Sequence, residues 1–341
     1  MSENILEIRD LVVQFPSPHG HLTVVDHVSL DVGRNEIVCV VGESGSGKSM
    51  TMQAAVGLVQ AKGGRVRSGS VRFDGRELVG LSTRQLNRIR GNEIGFIFQE
   101  PMASLNPAYT VGEQIAEVVR RHRGASHKEA WRRAVTMLDR VGIASPASRA
   151  EDYPHQFSGG MRQRVMMAIA LACNPKLLIA DEPTTALDVT IQARMLELLK
   201  ELQRDMNMSV LFITHDLGVV AEIADRVVVM YGAQAVEAAP VAELFRTPRH
   251  PYTSGLLEAM PQVALARGQP PVAIPGAVAQ SYAWPKGCRF NPRCGFTVPG
   301  TCTTEPIELL SHGPALVRCA RTEAVQPALL HLSAERKAPA A

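Results

Sequence analysis

Long apolar runs are missing from this sequence of 341 residues. A helix that crosses a bilayer needs about 20 consecutive apolar residues, and no stretch of the chain approaches that length. The first residues also lack the charged and apolar regions of a secretory signal peptide. We therefore expect no membrane-spanning segment, and we expect the chain to stay in the cytoplasm.

An excess of charge of one sign is missing as well. The formal net charge is +3, with 20% charged and 45% hydrophobic residues. These values are typical of an α/β protein with a full core, and the length suits two domains of about 150 residues each. Near-neutral charge argues against the strongly basic surface that most nucleic-acid binding proteins carry.

Cysteine is scarce, with six in the whole chain, and in the cytoplasm these argue against disulfides. Cys39 and Cys173 lie in apolar segments and are most simply buried small side chains. The other four, all towards the C-terminus, are Cys288, Cys294, Cys302 and Cys319. Four soft thiolates suit Zn²⁺ or an iron–sulfur cluster, and their composition does not separate the two. Reduced cysteines without a metal are the third interpretation.

The sequence does contain a stretch suited to holding phosphate groups. Residues 42–49 match G-x-x-x-x-G-K-[ST] in full, between an apolar strand over 36–41 and helix formers over 50–58. Glycines let the loop turn its N–H groups inward, while a lysine supplies charge and a serine a hydroxyl for Mg²⁺. A glycine-rich turn with a chance lysine is the alternative. The residues expected to contact the nucleotide here are Gly42, Ser44, Gly45, Ser46, Gly47, Lys48, Ser49 and Met50.

The segment before this loop has the pattern of an antiparallel hairpin. Apolar and polar residues alternate on both sides of a proline-containing turn within residues 5–35, and residues 71–75 add a further strand. A small β layer is therefore predicted beside the nucleotide-binding sheet. Phe15 lies at the end of its strand, where the ring either packs in the core or forms a platform for adenine.

Three further strands end in polar side chains. The strand over 94–98 leads to Gln99, the continuous apolar run from 177 leads to Asp181 and Glu182, and the strand over 210–214 leads to His215. Because the carboxyl ends of parallel strands form the ligand-binding edge of an α/β sheet, we expect these side chains to converge there. Asp181 can hold the Mg²⁺ shell, and Glu182 can orient or deprotonate an attacking water.

Between the first two of these strands the pattern becomes helical, over residues 111–121 and 128–141. This segment predicts a helical insertion in the α/β domain. It closes at Ser158-Gly159-Gly160, where the serine is a good N-cap and the glycines expose backbone N–H groups at the head of an apolar helix.

Taken together, the motifs resemble those of ATP-binding cassette (ABC) ATPases, in the same order, over residues 5 to about 255. The correspondence is Walker A at 42–49, Q-loop at Gln99, signature at 157–161, Walker B at 177–182, D-loop at 185–188 and H-loop at His215. The resemblance implies a P-loop NTPase fold, α/β with an antiparallel β subdomain, a helical insertion at about 100–165 and a cysteine-rich C-terminal extension.

The resemblance also implies the cofactors and the roles of single residues. Two cassettes meet head to tail, so that Ser158, Gly159 and Gly160 of one complete the ATP site of the other, with Asp188 in the D-loop. Lys48 binds phosphate, Glu182 is the base, and His215 contacts the γ-phosphate, while Ser49, Gln99 and Asp181 bind or sense Mg²⁺. Phe15 matches the adenine platform. Phe157 and Met161 replace the usual leucine and glutamine of the signature.

The C-terminal part resembles one branch of that family, the ATPase subunits of dipeptide, oligopeptide and nickel importers. The matching stretches are 243–257, 274–276 and 287–294. We expect an ATPase domain over 1–255, an extension with the four-cysteine site over 256–325, and a tail over 326–341 that is rich in Ala and Pro and disordered. The resemblance favours a [4Fe–4S] cluster over Zn²⁺ on Cys288, Cys294, Cys302 and Cys319, although residues 279–282 and Gly295 depart from its pattern.

The function implied is ATP binding and hydrolysis in a bacterial importer of di- and oligopeptides. The expected partners are two transmembrane permease subunits, a homologous ATPase as heterodimer partner and, indirectly, a substrate-binding protein, with the chain peripheral on the cytoplasmic face of the inner membrane and no nucleic acid bound. Import of nickel, glutathione or another small solute is the alternative within transport. A soluble ABC protein acting on nucleic acid is the rival from another class.

Overall fold

A computed structural model describes residues 3–18, 20–99, 104–184, 188–268, 270–279 and 283–336. The predicted D-loop residues 185–187 and the last five residues of the predicted tail lie outside this part of the chain. The chain divides into two compact units that interleave along the sequence. The first unit comprises Met1–Leu6, Asp31–Ile37 and Arg72–Ile213; the second comprises Glu7–Leu30, Val38–Val71 and Thr214–Ala341.

Strands and helices alternate along most of the chain. The strands are β1 (Asn4–Ser17), β2 (Gly20–Gly33), β3 (Ile37–Val41), β4 (Arg65–Phe73), β5 (Arg76–Glu77), β6 (Ile94–Ile97), β7 (Leu177–Asp181), β8 (Ser209–Ile213), β9 (Arg226–Tyr231), β10 (Gln234–Pro240), β11 (Leu310–His312) and β12 (Ala315–Val317). The α-helices are α1 (Lys48–Ala55), α2 (Thr83–Ile89), α3 (Val111–Arg123), α4 (His127–Arg140), α5 (Pro146–Arg149), α6 (Gly159–Leu171), α7 (Val189–Asp205), α8 (Leu217–Ile223), α9 (Val241–Arg246), α10 (Pro251–Glu258), α11 (Pro261–Arg267) and α12 (Thr322–Arg336). Short 3-10 helices occur at Val59–Lys62, Pro154–Gln156 and Asn291–Arg293.

The first unit is built on three parallel strands. β7 pairs with β6 on one side and with β8 on the other, in parallel register from Leu177 opposite Ile94 and Ser209. Every residue of β7 and β8 is buried, as expected for strands covered on both faces. The polar residues that follow these strands are therefore held at the end of a rigid layer.

The predicted helical insertion is present in the first unit as α3 to α5. Thr110 caps α3 through its side chain, and Ser126 with Glu129 forms a capping box at the start of α4. The apolar stripe predicted on α4, which includes Ala130, Ala134 and Leu138, is buried. Helix ends and buried faces thus follow directly from the sequence pattern.

The second unit contains the predicted hairpin and a mixed set of strands. β2, β1 and β4 are neighbours in that order. β3 pairs in parallel with β9, which continues antiparallel to β10, and β10 is followed by β12 and β11. No helix in the described part of the chain is both long and apolar enough to cross a membrane.

A helix occupies much of the stretch that composition predicted to be a disordered tail. α12 runs over Thr322–Arg336 with Pro327 inside it. Val325 and Leu329, four residues apart on one face, are buried, and Ala and Leu are strong helix formers. Packing of that face outweighs the proline. The domain boundaries at 255 and 325 stay predictions.

A carboxylate buried in the second unit fixes the start of α10. Glu237 of β10 has no exposed surface, and its two oxygens accept the backbone N–H groups of Arg249 and His250, each at 2.8 Å. Burial raises the pKa of Glu237 to about 7, because removal from water disfavours the charged form. The folded protein therefore binds this proton more tightly than the unfolded chain does.

This difference predicts a pH-dependent stability. The contribution of Glu237 is fully present below pH 4.5, the ordinary pKa of the side chain, and is lost as the pH rises through about 7. Relative to Glu237→Gln, which does not ionise, the wild type should lose roughly 3 kcal/mol of unfolding free energy over that range. Thermal melting of both proteins at several pH values measures this, with the exposed Glu305→Gln as control. A stability difference that does not change with pH would contradict the prediction.

Candidate active site

The phosphate loop of the second unit connects β3 to α1 through three glycines with positive φ. The values are 149° at Gly42, 78° at Gly45 and 96° at Gly47. These conformations are rare for residues with a side chain. Gly47 directly precedes the first helical residue, Lys48, so the loop ends at the N-terminus of α1, where backbone N–H groups and the helix dipole favour anions.

Neighbouring backbone comes too close to two of these glycines for any side chain. A Cβ on Gly42 would lie 2.1 Å from the carbonyl oxygen of Met230, and a Cβ on Gly47 would lie 2.6 Å from that of Val24. Both distances are far below van der Waals contact. Glycine is therefore required here by packing as well as by φ.

Lys48 is directed onto the loop itself. Its Nζ donates hydrogen bonds to the carbonyl oxygens of Gly42 at 2.8 Å and Glu43 at 3.0 Å, and the side chain is 5% exposed. The buried Ser46 Oγ has no hydrogen-bond partner among the described residues. Buried hydroxyls are normally paired, so this orphaned donor fits a ligand oxygen. Ser44 and Gly45 are exposed, whereas Ser49 and Met50 are half-buried.

Phe15, the predicted adenine platform, is half-buried at the end of β1. Its ring lies against the backbone of Gly64, where an added Cβ would meet Phe15 Cζ at 2.5 Å. The contact fixes the ring through one region of its surface. The ring thus packs against Gly64 on one part of its surface, and the stacking of adenine on the ring stays a prediction.

The first unit brings Gln99 and Glu182 together. Gln99 Nε2 donates to Glu182 Oε2 at 3.3 Å. Asp181 ends β7 and is 3% exposed, while Glu182 has φ 47° and donates its N–H to the carbonyl oxygen of Ile213 at 3.0 Å. A left-handed glutamate is strained, and such strain clusters at functional sites. Sequence reasoning missed this strain because no residue type in the segment demands it.

The signature segment, also in the first unit, forms the start of α6. Ser158 is the N-cap, and its Oγ accepts the N–H of Met161 at 3.4 Å. At the head of this 13-residue helix, Ser158 and Gly159 are exposed and Gly160 is half-buried. Phe157 is buried, with the guanidinium of Arg149 at 5.8 Å from its ring centroid.

His215 and Asp188 lie just before helices: His215 precedes the N-cap residue of α8, and Asp188 is the N-cap residue of α7. In the second unit, Thr214 donates its N–H to the carbonyl oxygen of Val40 at 3.2 Å, next to the strand that leads into the phosphate loop. The following residue, His215, is exposed. In the first unit, Asp188 caps α7 by accepting the N–H of Ile191 at 2.9 Å.

The four C-terminal cysteines line one cavity of about 20 Å³ in the second unit. None forms a disulfide. Burial raises the pKa of Cys288 to about 11 and also raises the pKa values of Cys294 and Cys319. Over the described residues, no three His, Cys, Asp or Glu side chains are placed to hold one metal ion. The predicted cluster is therefore not supported, although four thiols around one cavity are a donor set that suits zinc or iron.

Comparisons with known proteins match both parts of the chain. The profile of the ABC transporter family matches residues 25–185, and that of the oligopeptide/dipeptide transporter C-terminal region matches residues 236–302. A putative peptide import ATP-binding protein of Brucella melitensis is 51% identical, over 86% of this chain and 90% of the relative. The oligopeptide transport ATP-binding protein AppD of Bacillus subtilis is 49% identical, over 92% of this chain and 96% of AppD. Among solved structures, the dimeric ATP-binding cassette MJ0796 with ADP and phosphate is 28% identical, with a TM-score of 0.62, over 69% of this chain and 98% of that one.

The close approach at Gly42 predicts the effect of a single methyl group. Gly42→Ala should weaken nucleotide binding by about 100-fold, because relief of the contact with Met230 shifts the loop by a sizeable fraction of an ångström. Equilibrium binding of a fluorescent ATP analogue measures this. Gly124→Ala is the matched control, since Gly124 has φ 62° but no neighbour within 4 Å of the added carbon. Equal binding by wild type and Gly42→Ala would contradict the prediction.

Proposed function

Since the chain belongs to the ABC transporter family as an ATP-hydrolysing cassette, we propose that it powers the import of di- and oligopeptides through partner membrane subunits. The match of residues 236–302 to the C-terminal region of oligopeptide and dipeptide transporters carries this proposal. The names of the relatives point the same way. The alternative cargoes, nickel and glutathione, have no comparable support here.

The proposed chemistry is in-line attack of water on the γ-phosphate of ATP. Lys48 and the amides of the phosphate loop bind the phosphates, and Phe15 stacks on adenine. Glu182 orients the water and accepts its proton, with its carboxylate held by Gln99 Nε2. His215 contacts the γ-phosphate. The products are ADP and inorganic phosphate.

Magnesium is the metal implied by this reaction. Ser49, Gln99 and Asp181 offer the hydroxyl, amide and carboxylate oxygens that Mg²⁺ prefers. The ion neutralises charge on the phosphates when it is bound. Of the three side chains, Asp181 is the most buried, which suits a fixed ligand.

We further propose that two cassettes assemble head to tail. Ser158 and Gly159 are exposed and Gly160 is half-buried at the head of α6, where a phosphate of a nucleotide held by a second cassette can be bound. Asp188, which caps α7, belongs to the same proposed interface. A homologous ATPase is the proposed partner, with two permease subunits and, indirectly, a substrate-binding protein. The proposed location is the cytoplasmic face of the inner membrane.

Cys288, Cys294, Cys302 and Cys319 are proposed to hold a metal centre. The support for this is that all four cysteines line the same cavity of about 20 Å³, although their side chains would have to move to bind one ion together. A [4Fe–4S] cluster remains the assignment from family resemblance, and Zn²⁺ is the alternative. The thiols would have to lose their protons when the metal binds, and the raised pKa of Cys288 makes this loss less favourable.

Peptide uptake tests the function and the role of Glu182 together. In cells lacking the gene, uptake of labelled di- and oligopeptides should be lost and should return with the wild-type chain. Glu182→Gln should bind ATP normally but lower its turnover by 100-fold or more, about the contribution of a general base, and should not restore uptake. The exposed Glu151→Gln is the matched control.

Other outcomes of that experiment would redirect the proposal. If cells lacking the gene lost nickel or glutathione uptake but kept peptide uptake, that solute would replace peptides as the proposed cargo. No transport defect, combined with nucleic-acid binding that weakens steeply with salt, would overturn the transport function. Turnover by Glu182→Gln near the wild-type rate would remove Glu182 from the role of base.

Cys302→Ser tests the metal proposal. We expect purified wild type to contain iron with sulfide, or zinc. The metal content per chain should be at least about 10-fold lower in the variant, because it lacks one of the four ligands. ATP binding should be retained. Metal analysis and the visible absorbance spectrum distinguish the two metals, with Cys173→Ser as control. Absence of both metals from anaerobically purified wild type would contradict the proposal.

A further inference from the structure

An arginine in the segment between Cys288 and Cys294 forms a salt bridge with a residue of the phosphate loop. Arg293 is 6% exposed and donates two hydrogen bonds to the carboxylate of Glu43, from Nη1 to Oε2 at 2.6 Å and from Nη2 to Oε1 at 3.0 Å. Glu43 is the second residue of the loop. A two-pronged pair of this kind fixes orientation as well as distance.

The remaining donors of Arg293 are also occupied. Nε donates to the carbonyl oxygen of Pro275 at 2.8 Å, and Nη2 donates to that of Ile274 at 3.3 Å. Nη1 also reaches Tyr231 Oη at 3.4 Å. The guanidinium is therefore held by its own surroundings, and it presents a fixed surface to Glu43.

Tyr252 holds the backbone of Glu43 by a second contact. Tyr252 of α10 is fully buried, and its Oη accepts the N–H of Glu43 at 2.9 Å. Its position is set by His250, whose Nδ1 accepts the N–H of Tyr252. Glu43 is thus held by its amide, by its carboxylate and, through its carbonyl oxygen, by Lys48.

A neighbouring arginine reaches the opposite end of the loop through one intermediate turn. Arg289 donates to the carbonyl oxygen of Gly232 and to Asp26 Oδ2. The next residue, Ala233, donates its N–H to the carbonyl oxygen of Ser46 at 3.1 Å. Both arginines belong to the short segment between two cysteines, so whatever orders this segment also orders the surroundings of the loop.

We propose that Arg293 and Tyr252 are positioning residues of the ATP site, which hold the phosphate loop in its binding conformation through Glu43. The C-terminal extension is then part of the ATPase machinery and not only an attachment to it. This inference rests on the proposed binding of ATP by the loop. Neither residue is assigned a contact with the nucleotide.

Equilibrium binding of a fluorescent ATP analogue to the full chain tests the proposal, well below the melting temperature of every variant. Arg293→Gln and Glu43→Gln should each weaken binding about 10-fold, within the usual range for coupling between sites. The double variant should be about as weak as either single variant, because all three lose the same interaction. The affinity of Arg293→Lys should lie between those of the wild type and Arg293→Gln, because an ammonium group keeps the charge but cannot make both hydrogen bonds.

Two more variants separate positioning from general destabilisation. Tyr252→Phe keeps the aromatic packing and removes only the acceptor for Glu43, and it should weaken binding in the same direction. Arg246→Gln removes an exposed arginine that pairs with Glu243 in the same unit, and it should bind ATP as the wild type does. A purely structural role for Arg293 would lower the melting temperature and leave the affinity unchanged.

Lys48→Ala separates this inference from the proposed function. Loss of binding in Lys48→Ala with wild-type affinity in Arg293→Gln would overturn the positioning role and leave the phosphate loop as the ATP site. A double variant whose loss equals the product of the two single losses would also overturn it. Wild-type affinity in Lys48→Ala would overturn both proposals.

Discussion

Two carbonyl oxygens lie so close to the phosphate loop that only glycine fits opposite them. They belong to Met230, opposite Gly42, and to Val24, opposite Gly47. The loop is therefore shaped by the strands around it as much as by its own residues. Lys48 donates to two carbonyl oxygens of the same loop, which fixes the position of its charge relative to the loop backbone. Fixing groups in place in this way lowers the cost of binding a ligand.

Glu182, the proposed base, has an unusual backbone conformation. Glu182 has a positive φ that few residues with a side chain adopt, and its amide is fixed on the neighbouring strand. A stable parallel layer of β6, β7 and β8 can sustain this strain. Gln99, at the end of the adjacent strand, holds the carboxylate. Each unit thus uses fully buried strands to present a small number of polar groups at their ends.

The sequence predicted those features that depend on local spacing. The strand, loop and helix around Lys48, the cap at Ser158 and the helices of the insertion follow from glycine positions, capping residues and apolar periodicity. Contacts between distant residues could not be predicted in this way. Arg293 lies 250 positions from Glu43 in the sequence, and the residues next to each of them do not indicate that the two are in contact. The helix over Thr322–Arg336 was missed for a related reason, because burial of Val325 and Leu329 depends on the folded surface and not on composition.

Calorimetric titration of the purified full chain with Mg²⁺ and ATP tests the central claim most directly, since the whole account depends on a phosphate loop that is ready to bind. We expect one saturable ATP site per chain, from which ADP displaces ATP. We also expect a binding enthalpy that persists when hydrolysis is blocked by a non-hydrolysable analogue. Heat that does not saturate, or binding that ADP does not displace, would contradict the assignment of residues 42–49 as an ATP site.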